Sequence, residues 1–172
     1  MFMYSIKATK RLLDRMGNPI HSAPANPSTI LGNWFAKPLF WRPQYALFVS
    51  ELTYLPVLAP LAPASRLAVR FPDDLATALR SHGAPELFIE DELDAMDDVV
   101  VTRTDSRQVV GVMNEFASMA NRMRDLRPDW DTLQISMRLA EVPVGIYGAR
   151  HIFPEVALRE LIDAHARRPF DK

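Results

Sequence analysis

The sequence predicts an α+β domain, a mainly antiparallel sheet from the N-terminal half with helices of the C-terminal half packed on it. Three observations lead there. Short β-branched and aromatic runs separated by turn residues fill residues 33–59. From Val109 onward, apolar residues recur every three or four positions, the period of a helix. With 172 residues, 48% hydrophobic and 24% charged, the chain has the size and composition of a single globular domain over 1–172.

Met3–Ala8 reads as the first strand, Tyr4 and Ile6 alternating with Ser5 and Lys7. Thr9 then caps a short helix through Met16, which Gly17 ends. On it Lys10, Arg11 and Arg15 avoid the Leu12/Leu13/Met16 face, so they are expected in solvent, with contact to a phosphate backbone as the alternative. Pro19, Pro24 and Pro27 make 18–28 a loop, where His21 stands alone and is expected exposed. Trp34–Phe35 and Leu39–Phe40–Trp41 form one strand, or the end of a short helix leading into one. Arg42–Pro43–Gln44 turns the chain. Tyr45–Val49 is a strand, 50–53 a hairpin loop and Tyr54–Leu58 the antiparallel return, with Pro56 marking an edge or a bulge. Trp34, Trp41 and Tyr45 fill a core or sheet face, or else line a surface on which bases stack.

Pro72 at a first helical position, followed by Asp73 and Asp74, predicts a helix to Gly83 with Leu75 and Leu79 inward. Pro85 starts another, with Leu87, Ile89 or Phe88, Leu93 and Met96 on one face. Its other face carries Glu90, Asp91, Glu92, Asp94, Asp97 and Asp98. Glu90, Asp94 and Asp97 or Asp98 share a side whose oxygens suit a hard cation. With no calcium-loop spacing, turn glycine or adjacent histidine, a solvated or charge-paired face is expected, and no metal.

Val99–Thr104 reads as a strand buried on both faces at its start and emerging at its end. Asp105 or Ser106 caps the helix that follows. Val109, Met113, Phe116, Ala120 and Met123 form its core stripe, widened by Val110 and Ala117. Pro128 breaks the chain, and Asp131 or Thr132 caps a helix through Ala140. Residues 143–154 read as irregular, with Arg150 and His151 in an exposed loop rather than at a ligand. Glu155–Arg167 is the final helix.

Arg103, Asp105, Ser106 and Arg107 meet where that strand ends and the long helix begins. Free backbone N–H groups and the positive end of the helix dipole make such a place suit an anion. Arg103, Ser106 and Arg107 are the candidate anion-binding residues, with Asp105 and Asn114 as accessories. The plainer reading makes Asp105 the cap, with the arginines paired to it or to the acidic run before the strand. Gly111 falls inside the helix, where glycine is unfavourable by roughly 0.8–1 kcal/mol. A close backbone neighbour is the expected reason, a bound ligand the alternative.

The segment TRTDSRQVVGVMNEFA resembles the signature of an uncharacterised bacterial domain family, a domain of unknown function. There an extended segment passes through Thr-(Asn/Asp)-Ser-Arg into a helix bearing Gly-x-Met-Asn. The resemblance extends to IKATKRLLDRM, to LGNWFAKPLFWRPQYALFVSELTYLPVLAP and to VPVG at Val142–Gly145, nearly the whole chain. Asp105 and Ser50 stand where asparagine is common. The resemblance implies a fold and brings no activity, ligand or catalytic residue.

Composition narrows the classes further. There is no cysteine, which excludes disulfides and thiolate chemistry. The opening residues lack a signal-peptide pattern, and the uncharged apolar run Leu52–Ser65 is too short and too proline-rich to span a membrane. A cytoplasmic protein without cofactor, not associated with membranes, is expected. Net charge is −1 but unevenly spread: residues 1–71 carry eight Lys/Arg against two Asp/Glu, and 72–98 one against nine. Either the two segments lie against each other or the basic part is a patch for nucleic acid. There is no Walker motif, GxGxxG, HExxH or GxSxG, Ser106 has no identifiable base, and the four histidines lack a metal-ligand spacing. Two classes follow. The first is a non-catalytic binding or regulatory protein acting on a protein or nucleic-acid partner. The second is an enzyme acting on a phosphate-bearing substrate at the Arg103/Ser106/Arg107 turn.

Overall fold

The computed structural model describes residues 2–17, 26–146 and 150–169; the predicted exposure of His21 lies outside them. In chain order the elements are β1 (Met3–Ala8), α1 (Lys10–Met16), β2 (Trp34–Leu39), β3 (Tyr45–Ser50) and β4 (Pro56–Pro60). A 3₁₀ turn at Ala64–Arg66 leads into α2 (Leu67–Ser81), followed by α3 (Glu86–Asp94), β5 (Asp98–Arg103) and α4 (Arg107–Leu126). The chain ends through α5 (Thr132–Leu139), β6 (Val144–Ile146), β7 (Arg150–Ile152) and α6 (Pro154–Ala166). The architecture is α+β, as expected.

Five strands form one sheet in the order β4-β3-β2-β1-β5. The predicted hairpin is present: β3 and β4 pair antiparallel from Tyr45↔Pro60 to Val49↔Pro56. Pro56 sits on an edge strand, where its missing N–H costs no ladder bond. Tyr54 takes a left-handed backbone, φ 59°, in the connecting loop, so the return strand starts two residues later than the run of β-formers suggests. β2 pairs antiparallel with β3, but β1 lies parallel between β2 and β5. Counting the small β6–β7 hairpin, three pairings are antiparallel and two parallel.

Both faces of the sheet are covered. Tyr4, Ile6, Trp34, Ala36, Phe48 and Val57 point to one side and pack with Leu12 and Leu13 of α1, Phe71 and Leu75 of α2, Phe88 of α3 and Leu158 of α6. Phe35, Leu39, Leu47, Val49 and Leu58 point to the other and pack with Val109, Val112, Met113, Phe116 and Ala120 of α4, and with Ile135 and Leu139 of α5. Each fully buried side chain of this size contributes about 1.5–3 kcal/mol by leaving water. Helices from both halves of the chain therefore cover the sheet, α1 to α3 and α6 on one face and α4 with α5 on the other. This arrangement explains why Ser5 and Lys7 are buried although they alternate with Tyr4 and Ile6.

Several expectations need correction. β5 emerges at Arg103 as expected, but Val99 and Val100 at its start are only half-buried and burial is complete at Val101 and Thr102, because it is an edge strand with only β1 beside it. α2 begins at Leu67, and Pro72 lies inside it rather than at its start. The preceding 3₁₀ turn nucleates the helix, and burial of Leu67 and Phe71 holds its first turns. Glu92 is fully buried rather than on a solvated face; its carboxylate accepts hydrogen bonds from the N–H groups of Ile30 (3.1 Å) and Leu31 (2.8 Å). Leu87, placed on the core face by periodicity, is exposed. Residues 143–154 are not irregular throughout: β6 and β7 form a hairpin that buries Val144 against α4 and α5. His151 is exposed, and the side chain of Arg150 lies outside the described residues.

Candidate functional site

The parallel part of the sheet sets the geometry. At the carboxyl end of β1 the chain turns into α1 on one face, and at the carboxyl end of neighbouring β5 it turns into α4 on the other. Adjacent parallel strands whose helices depart to opposite faces leave a crevice beyond their ends, the place where open sheets with parallel strands bind ligands. The 104–107 turn lies there.

Lys7, the penultimate residue of β1, is paired with Phe35 and Thr102 on its two sides and faces α4. Its ammonium is 2.9 Å from Asp105 Oδ2 and 3.7 Å from Glu51 Oε2, and lies over the Phe35 ring. Lys7 is only 8% exposed, so the Asp105 carboxylate is what satisfies its charge where water has little access. Asp105 is therefore not the cap. Ser106 is: its Oγ accepts from Val109 N–H at 3.3 Å. An aspartate one residue before the cap reaches the β1 lysine instead of the helix amides. The N–H groups of Arg107 and Gln108 have no acceptor among the described residues.

Thr104, Asp105, Ser106, Arg107, Val110, Gly111 and Asn114 line an open cleft of about 580 Å³. Arg107 and Arg103 are exposed and make no ion pair among the described residues, so neither joins Asp105 or the acidic run as the plainer reading had it. Arg103 ends β5 beside Ala8 and is not among the lining residues. Gly111 opens into this cleft. A Cβ there would meet nothing within 4 Å, which removes close packing as the reason for a glycine.

One turn on, Asn114 Oδ1 accepts from Lys37 Nζ at 2.8 Å. Burial, and secondarily the charge of Arg11, pulls the Lys37 ammonium below the ordinary lysine range. Beyond this bond lies a second cleft, between α4 and the ends of β1 and β2.

Sequence reasoning thus found Ser106, Arg107, Asp105 and Asn114 together in one place, but missed Lys7 and Lys37. No local signal marked Lys7: its strand is covered by helices on both faces, which leaves the lysine no solvent side, and that covering comes from segments distant in sequence. Trp34, Trp41 and Tyr45 do not form one stacking surface. Trp34 is buried against Phe71 on one face, while Trp41 and Tyr45 meet on the other, because Trp34 belongs to the opposite strand parity. The acidic helix holds no cluster of metal-ligating type among the described residues. Asp91 instead meets His165 Nε2 at 2.7 Å. The basic side chains Lys10, Arg11, Arg15 and Lys37 form no ion pair with the acids of 72–98 among the described residues.

Among the described residues no helix is long and apolar enough to cross a membrane. No curated protein and no solved structure matches the chain. A family model described as Domain of unknown function (DUF6933) matches residues 5–157, and the chain belongs to that family.

Proposed function

We propose that the protein is a binding protein for a phosphate-bearing ligand, held in the crevice between the ends of β1 and β5 and the start of α4. The observation that carries this reading is the topology: α1 and α4 leave neighbouring parallel strands toward opposite faces, and the 104–107 turn sits in the gap. The chemistry of the residues there agrees. The amides of Arg107 and Gln108 are free to donate, Arg107 offers a fork of donors matching phosphate oxygens, and Arg103 adds charge from the strand end. Asp105 would repel an anion if it were free. Held 2.9 Å from the Lys7 ammonium, it has its charge partly offset.

Binding is favoured over catalysis because no histidine lines the cleft among the described residues to act as a base toward the Ser106 hydroxyl, whose oxygen caps the helix. The test is a thermal-shift titration with inorganic phosphate and with nucleotides. Wild type is expected to melt higher as phosphate rises, and Arg107→Ala to lose that rise while folding normally. An unchanged wild-type melting temperature across the titration would sink the reading.

A further inference from the structure

The second cleft has a chemistry of its own. It encloses about 520 Å³, within the range of small-molecule sites, and is lined by Thr9, Lys10, Arg11 and Lys37 together with Phe40, Trp41 and Asn121 among others. Its walls are largely apolar, and its charged groups are all cations: no carboxylate lines it among the described residues. Lys37 and Arg11 are close enough for the charge of one to disfavour that of the other, and Lys37 is held by an amide oxygen rather than an acid. Cations left in this state gain from an anion between them. Thr9 lines the cleft, and its hydroxyl is buried without a hydrogen-bond partner among the described residues.

The aromatic part is equally specific. Phe40 is 56% exposed, an uncommon state for a phenylalanine, and Arg11 lies over its ring at 5.6 Å. Trp41 beside it is fixed: its indole N–H donates to Asn121 Oδ1 at 2.7 Å and Arg124 covers its face at 4.7 Å. A rigid aromatic wall, a free ring and three cations make a surface for a flat aromatic group that carries negative charge.

We propose that this cleft binds a nucleobase bearing a phosphate. The base packs on the free surface of Phe40, and the phosphate lies among Lys10, Arg11 and Lys37. The Asn121 amide is the polar group placed to meet the base or sugar. The same chemistry is offered by a mononucleotide and by a single strand of nucleic acid. A strand has the further option of following α4: Asn114 and Asn121 are two turns apart, about 10 Å along the helix, and lead from this cleft to the turn at Arg107.

The experiment is calorimetric titration at low salt of the whole protein with inorganic phosphate, a nucleoside monophosphate and a ten-residue oligothymidylate, repeated on Phe40→Leu and Lys37→Gln. The mononucleotide is expected to bind wild type more tightly than phosphate does. Phe40→Leu, at an exposed position that leaves the core intact, should weaken it roughly five- to 150-fold, the range of one stacked base. Lys37→Gln should weaken both nucleotide and oligonucleotide and reduce their salt dependence. An oligonucleotide that binds at least tenfold tighter than the mononucleotide supports the strand as the source; equal affinities support the mononucleotide. Mononucleotide binding no tighter than phosphate, or indifferent to Phe40→Leu, overturns the proposal. The two sites fail separately. A phosphate response abolished by Arg107→Ala, with no effect of Phe40→Leu on the mononucleotide, upholds the turn and overturns this cleft. Nucleotide binding lost in Phe40→Leu, with no phosphate response at the turn, does the reverse.

Discussion

Replacing Gly111 by alanine separates stability from ligand binding at one position. Gly111 is the fifth residue of α4, exposed, and its backbone is ordinary helix rather than left-handed. A glycine there is unfavourable by about 0.8–1 kcal/mol relative to alanine, chiefly because the unfolded chain has more freedom to lose. A steric penalty would offset that gain, but an added Cβ meets no atom within 4 Å. Gly111→Ala is therefore expected to stabilise the protein by nearly the whole propensity difference. For a chain of this length that corresponds to a rise of roughly 2–4 °C in melting temperature. Urea unfolding followed by circular dichroism gives the free energy directly. A loss of stability would show that the methyl group meets something, and the account of this glycine would be wrong.

The same variant then reports on the crevice. If a ligand approaches the helix backbone over Gly111, alanine narrows that approach. The variant should be more stable without phosphate yet gain less from it, and Gly111→Leu should gain less still. A variant that is more stable and keeps the full anion response would mean that no ligand uses the space above Gly111.

Other outcomes follow from single contacts. Ser106→Ala and Asp131→Ala each remove a helix cap, the second with its reciprocal Gln134 bond, and each should cost about 0.5–2 kcal/mol by urea denaturation. Phe116→Ala empties a fully buried site between α4 and the sheet and should cost roughly 3–5 kcal/mol, a large share of typical domain stability. Burial raises the Glu92 carboxyl to about 7, partly opposed by its bonds from Leu31 and Ile30. A carboxyl held higher in the folded than in the unfolded chain binds its proton more readily when folded, so that stability is present at low pH and lost as pH rises through about 7. Melting temperature should therefore fall between pH 5 and pH 8 in wild type, and Glu92→Gln should flatten that fall.

Local signals in the sequence transferred well. The cap at Asp131, one of the two residues the sequence offered, the αL glycine ending α1 and the β3–β4 hairpin each depend on residues close in sequence, and each formed as those residues require. The errors arise where distant segments decide. Nothing within Met3–Ala8 says that β2 and β5 will lie parallel on its two sides, so Lys7 read only as a polar residue alternating with Tyr4 and Ile6. Glu92 read as one of six acids on a polar face because its donors, the Ile30 and Leu31 N–H groups, come from a loop more than 60 residues earlier. Asp105 and Ser106 are equally good caps by composition. The ammonium of Lys7, 98 residues away in sequence, draws Asp105 off and leaves the cap to Ser106.

That last contact ties fold and site together. β1 is the one strand of the larger sheet with parallel neighbours on both sides, so its carboxyl end faces the gap between α1 and α4. A lysine near that end reaches the turn after β5 and pairs with the Asp105 carboxylate there. The pair needs both partners: a bare Lys7 would be a nearly buried cation with only Glu51, 3.7 Å away, and a bare Asp105 would sit among the free amides as their competing acceptor. By binding each other they leave the amides of Arg107 and Gln108 and the two arginines uncommitted. The uncommitted positive charge therefore lies at the exposed end of the crevice, while at its buried end Lys7 is shared between two carboxylates, Asp105 and Glu51.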